Sequence, residues 1–135
     1  RDRQKVVSLT AYKVLSIELA AGLGHTFYDN ETDYETVYFD QEIQHDFASW
    51  VSGDSMEPLY PNGSVALMKQ TGFDYDGAVY ALIWNGKTYI KKVYREAEGL
   101  RLESINPDYD DLFAPYEDEP KIVGIVVGHF LPLEV

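Results

Sequence analysis

Short runs of β-branched and aromatic residues, cut apart by turn-forming residues at intervals of roughly eight to twelve, constrain this chain more than any other feature. The runs are residues 12–19, 36–39, 47–52, 64–68, 78–84, 87–94, 99–105 and 121–130. No stretch sustains a 3.6-residue apolar period, so helix is expected to be scarce. Asn85-Gly86 is the strongest hairpin signal and predicts that 78–84 and 87–94 are antiparallel neighbours. The run 121–130 is apolar on both faces and is predicted to lie centrally in the sheet. The pattern reads as an all-β domain, a partly closed barrel or coiled sheet.

At 135 residues the chain fits one domain with a real core. Its 45% hydrophobic and 14% aromatic content is ordinary globular material, and eleven Tyr with six Phe and two Trp lean towards strands. Zero cysteines exclude disulfides, thiolate metal sites and a cysteine nucleophile. A net charge of −12 argues against nucleic-acid binding by this surface, which would need clustered Lys and Arg. No apolar run reaches the ~20 residues that span a bilayer, so no membrane partner is expected. Together these features fit a cytoplasmic protein. The chain opens on Arg1 and not on Met, which reads as a fragment lacking an N-terminal domain. Residues 1–30 are read as linker and a small-residue segment, Ala20-Ala21-Gly22-Leu23-Gly24, and residues 31–135 as the domain proper.

Two features carry chemistry. Gly53-Asp54-Ser55-Met56 closes the run 47–52, so Ser55 stands on a tight turn at a strand end with its hydroxyl presented outward. Thirty-six residues on, Lys91 and Lys92 lie in another strand-like run. Together they suggest a Ser–Lys hydrolase, in which a neutral lysine takes the serine proton. A free lysine titrates near ~10.4 and is useless as a base at neutral pH, but burial can lower that by up to ~3–5 units. Alternation leaves both lysines open: Lys91 shares a face with Tyr89 and Val93, Lys92 with Ile90 and Tyr94. The bland alternatives are a polar turn and two solvated strand lysines. Gly53 lets the chain bend, and backbone N–H groups of Ser55 and a neighbour (Asp54 or Met56) can face an oxyanion. A Ser55–His–Asp triad based on His129 or His45 is the competing arrangement. The three histidines, His25 included, are too dispersed for a metal motif. The acidic stretch 108–119 has a carboxylate spacing faintly like a calcium loop, but Phe113 stands where a sharp-turn glycine belongs. It is read as a solvated loop, and no metal or cofactor is expected.

These motifs, taken in order, resemble the LexA-type self-cleaving repressor peptidases, which include the lambdoid phage repressors and UmuD. The matching residues are Val51 to Met56, Asn62 to Ala66, Tyr89 to Val93, Ile105 to Tyr109 and Ile122 to Val127, with Ala20-Ala21-Gly22 upstream. The resemblance covers roughly residues 12–131 and implies a strongly bent, partly closed barrel-like antiparallel sheet. It implies Ser55 as nucleophile and Lys91, the first lysine of the pair, as general base. It also implies that the chain cuts its own Ala21–Gly22 bond after a loop carrying that bond docks over Ser55. By the same resemblance the chain forms a homodimer, responds to a RecA filament on single-stranded DNA, and reaches operator DNA only through a missing N-terminal helix-turn-helix domain. One departure is Glu18-Leu19, where relatives tend to carry small apolar residues; a carboxylate there would raise the lysine pKa and slow cleavage.

Two rivals remain. Type I signal peptidases share a serine box and a lysine base, but they carry a membrane anchor and a further Gly-Asp-Asn-Arg-like segment, neither of which occurs here. The other is a non-cleaving dimerisation or ligand-regulated module of a repressor.

Overall fold

The computed structural model describes residues 8–17, 21 and 34–134. Among these the chain forms nine strands: β1 (Thr10–Val14), β2 (Glu35–Phe39), β3 (Phe47–Trp50), β4 (Val65–Gln70), β5 (Ala78–Trp84), β6 (Lys87–Arg95), β7 (Gly99–Glu103), β8 (Leu112–Pro115) and β9 (Lys121–Phe130). All belong to one sheet of order β2-β1-β3-β4-β9-β5-β6-β7-β8. The fold is mainly β, as the run spacing predicts.

Three details depart from the sequence reading. The sheet is mixed, because β1 runs parallel to β3 at Val14 and Ala48 while every other neighbouring pair is antiparallel, and it is not closed, with β2 and β8 at its two edges. The first strand stops at Val14 and does not continue to residue 19; Ile17 and Ala21 are both helical. The acidic stretch 108–119 is also not all loop. It supplies the edge strand β8 and a 3-10 turn at Tyr116–Asp118. Its acidic flanks hid the short apolar centre Leu112-Phe113-Ala114.

The hairpin and the central strand are where the sequence puts them. Asn85 and Gly86 take φ of 51° and 74°, the left-handed pair that a two-residue turn between twisted strands requires, and Trp84 pairs with Lys87. β9 sits between β4 and β5, with four strands on either side of it. β9 carries an extra residue at two places, Val127 opposite Leu67/Met68 and Val123 opposite Ala81/Leu82, and bends at these bulges.

Bending is what builds the interior. In a flat sheet, β3 and β6 would stand about 19 Å apart, four spacings of ~4.8 Å. Yet Phe47 of β3, Ala81 of β5, Ile90 of β6 and Val123 of β9 share one buried cluster with Val51, Met56 and Tyr60. The sheet therefore curls until β3 and β6 face one another. A second cluster (Tyr80, Leu82, Val93, Leu100, Leu102, Ala114) fills the other face.

Candidate active site at the β3–β6 seam

Ser55 stands in the turn that follows β3. Past Trp50, Val51 still donates its N–H to the Ser64 carbonyl at 2.9 Å, and Gly63 donates to the Val51 carbonyl at 2.8 Å. Gly53 then breaks the strand with a φ of 83°, which a side chain would strain, and donates its N–H to Asn62 Oδ1 at 2.7 Å. Glu57 N–H reaches the Asp54 carbonyl at 3.2 Å and Tyr60 N–H the Met56 carbonyl at 2.9 Å. Met56, 2% exposed, plugs the turn into the core. The turn is thus tied at both ends, with Ser55 between the ties.

Lys91 arrives from β6, where it pairs across the ladder with Tyr80 and shares its face with Tyr89 and Val93. It is 7% exposed, and its Nζ lies 2.7 Å from Ser55 Oγ. Burial pulls its pKa below the ordinary lysine range. Lys92, on the opposite face, lies 3.6 Å from Glu103 at the surface, and Tyr94 and then Glu103 raise its pKa. Alternation could not choose between the two lysines because both faces carry apolar neighbours. What distinguishes them is the Ser55 turn, whose hydroxyl meets Lys91.

The hydroxyl and amine open into a cleft of about 380 Å³, whose walls include Val51, Met56, Ile90, Tyr109 and Leu112. A second cavity of about 420 Å³ shares Ile17, Trp50, Ser52 and Thr88 with it, so the two form one groove along the seam. Neither His45 nor His129 lines this groove. His129 packs edge-on against Tyr60 with ring centroids 4.7 Å apart, and His45 Nδ1 contacts the Ile43 carbonyl at 2.8 Å. His25 lies outside the described residues.

Ala21 is not brought to Ser55. It packs on the rim of the Phe47–Ile90 cluster and lines a separate cavity of about 260 Å³ with Gln70, Thr71 and Lys121. Glu18, Leu19 and Gly22 lie outside the described residues. Sequence reasoning counted Ile105 to Tyr109 among the matching residues but gave them no task. The structure shows Asn106 bonded to the backbone of Asp54 and Ser55, and Tyr109 bonded through its hydroxyl to the Asp54 carboxylate. The polar Asn106-Pro107-Asp108-Tyr109 stretch directly after a strand was the available signal.

The curled β sheet thus presents the Ser55 hydroxyl beside a buried lysine. Residues 13–127 match the Peptidase S24-like family, and the chain belongs to it. It is 42% identical over 77 residues to the repressor protein CI of Enterobacteria phage phi80, covering 56% of this chain and 32% of that protein. It is 33% identical over 86 residues to the LexA repressor of Citrifermentans bemidjiense, covering 62% and 43%. With the LexA repressor of Lacticaseibacillus casei it shares 30% identity over 118 residues, covering 84% and 55%. The chain thus spans between about a third and about half the length of these curated relatives. Among the described residues no helix is long and apolar enough to cross a membrane.

Proposed function

We propose that the chain is the self-cleaving and dimerising part of a LexA-like or phage-type repressor. The observation that carries this reading is the 2.7 Å contact between Ser55 Oγ and a lysine amine that is 7% exposed. As an ammonium, that amine donates to the hydroxyl; once neutral, it can accept the serine proton instead. Ser55 Oγ attacks the Ala21 carbonyl carbon as its proton passes to Lys91 Nζ. The resulting oxyanion is held by backbone amides of the Ser55 turn, in which Gly53, Asp54 and Met56 set the geometry. Lys91 returns the proton to the departing Gly22 nitrogen. Water then attacks the acyl-serine, again losing a proton to Lys91, and Ser55 Oγ recovers its proton as the new carboxyl end leaves.

Substrate and nucleophile share a chain, so the effective concentration is high and the resting position of the cut segment sets the rate. Ala21 must leave the cavity near Lys121 and enter the groove at the β3–β6 seam. A homodimer, a RecA filament on single-stranded DNA as the trigger, and operator DNA bound through a domain outside this chain complete the reading. Its setting is the cytoplasm.

The test is to follow the mass of the purified chain at pH 7 and pH 10. A product beginning at Gly22, formed faster at pH 10 and absent in Ser55→Ala, is expected. A wild-type chain that stays whole throughout this range rules the reading out. The position of Ala21 away from Ser55 favours one second reading, a repressor module that keeps the fold without cutting itself.

A further inference from the structure

We propose that Asn106 is a positioning residue for Ser55, locking both peptide planes that flank the nucleophile. The inference rests on the peptidase reading above and adds a part to it. Asn106 donates its backbone N–H to the Ser55 carbonyl at 3.0 Å and its side-chain Nδ2 to the Asp54 carbonyl at 3.0 Å. Those two carbonyls belong to the two peptide units on either side of the Ser55 α-carbon. A trans peptide is planar, with its N–H directed opposite to its C=O. Holding the Asp54 and Ser55 carbonyls towards Asn106 therefore aims the Ser55 and Met56 N–H groups away from it. The same constraint fixes the backbone torsions from which the Ser55 side chain departs towards Lys91. One residue thereby sets the direction of the nucleophile and of two candidate oxyanion donors.

Asn106 is itself held for the task. Its Oδ1 accepts the Asp108 N–H at 2.9 Å and its carbonyl accepts the Tyr109 N–H at 3.2 Å. Ile105, just before it, packs against the main core cluster, and the Tyr109 hydroxyl ties down the Asp54 carboxylate. Asparagine is suited to this place in a way its neighbours in size are not. Aspartate keeps the shape and the Asp108 bond but has no N–H to offer the Asp54 carbonyl. Alanine keeps only the main-chain bonds.

The test compares wild type, Asn106→Ala and Asn106→Asp over pH 7–10, reading self-cleavage by mass and the backbone amide signals of Ser55 and Met56 by NMR. Both variants should lower the high-pH plateau rate by about 10- to 100-fold, the scale of a misplaced reacting group. The pH at which the rate rises should stay put in Asn106→Ala, because Lys91 keeps its burial. The Ser55 and Met56 amide signals should shift or broaden while those around Tyr80 do not. Plateau rates within about twofold of wild type overturn the proposal, as does an Asn106→Asp rate that recovers fully at high pH, since that effect would be charge alone. A wild-type chain that never cuts defeats the peptidase reading instead. The NMR comparison then still decides the clamp: unchanged Ser55 and Met56 signals in Asn106→Asp overturn it.

Discussion

Lys91 and Lys92 leave the same strand towards opposite environments: one amine lies 2.7 Å from the Ser55 hydroxyl inside the domain, the other 3.6 Å from Glu103 at its surface. Lys91→Ala is expected to cut self-cleavage by more than about 1,000-fold, the scale seen when one member of a catalytic set is removed. Lys92→Ala should leave the rate within about twofold and cost at most about 1 kcal/mol, as exposed ion pairs do. Mass spectrometry of the product and a urea melt of each variant check both halves. Loss of cleavage in Lys92→Ala alone would reverse the assignment.

The buried amine also imposes a pH dependence on stability. Its pKa is depressed in the folded state, so between that lowered value and the ordinary lysine value the unfolded chain binds more protons. Stability therefore rises with pH across that window, and the cost of burying the charge is fullest below it. Lys91→Met, similar in length and uncharged, is expected to raise the melting temperature at pH 7 by on the order of a few degrees. The gain should shrink as pH approaches the ordinary lysine value. A gain that is flat with pH would count against burial as the cause.

Tyr80, the cross-strand partner of Lys91, is fully buried, and its hydroxyl accepts the Asp74 and Tyr75 N–H groups, each at 2.8 Å, while donating to the Tyr75 carbonyl at 3.0 Å. Tyr80→Phe should destabilise the domain by about 1–3 kcal/mol, because those backbone groups lose their partner. Ser55 and the cleft around Lys91 are untouched, so the pH profile of cleavage should not move. Denaturant melts and pH–rate curves on the same variant separate the two effects.

Gly124 marks the tightest place in the central strand. A Cβ there would stand 2.7 Å from the Lys69 carbonyl oxygen and 3.1 Å from the Phe47 ring. Gly124→Ala is expected to cost about 1–3 kcal/mol by overpacking, read from the shift in a urea midpoint. Gly72→Ala meets no atom within 4 Å at its Cβ and serves as the neutral comparison.

Much of this arrangement was legible in the residues. Strands β5 and β9 fall on the predicted runs to the residue, and β6 extends its run only by Arg95, because uninterrupted apolar or alternating segments bounded by Asn85-Gly86 and Pro120 leave few alternatives. β8 was hidden because four residues carry too little periodicity to stand out against acidic flanks. The first strand was overextended: Leu15 and Ile17 are buried in the core after β1 has ended, so their apolar character reports burial and not extension. At the site, the Gly53–Met56 turn was readable from local chemistry. The choice between Lys91 and Lys92 was not, since it depends on which amine a loop thirty-six residues earlier meets. The same holds for Asn106, whose partners lie about fifty residues upstream.

The central place of β9 has a consequence for when the Ser55–Lys91 pair can form. A ribosome releases this chain from the N-terminal end, so Ser55 and Lys91 both emerge before the strand that joins β4 to β5 exists. Until residues 121–130 have been translated and inserted, the two halves of the sheet have no shared spine to set the hydroxyl against the amine. In a nascent or prematurely terminated polypeptide the Ser55–Lys91 pair lacks the strand that completes its scaffold.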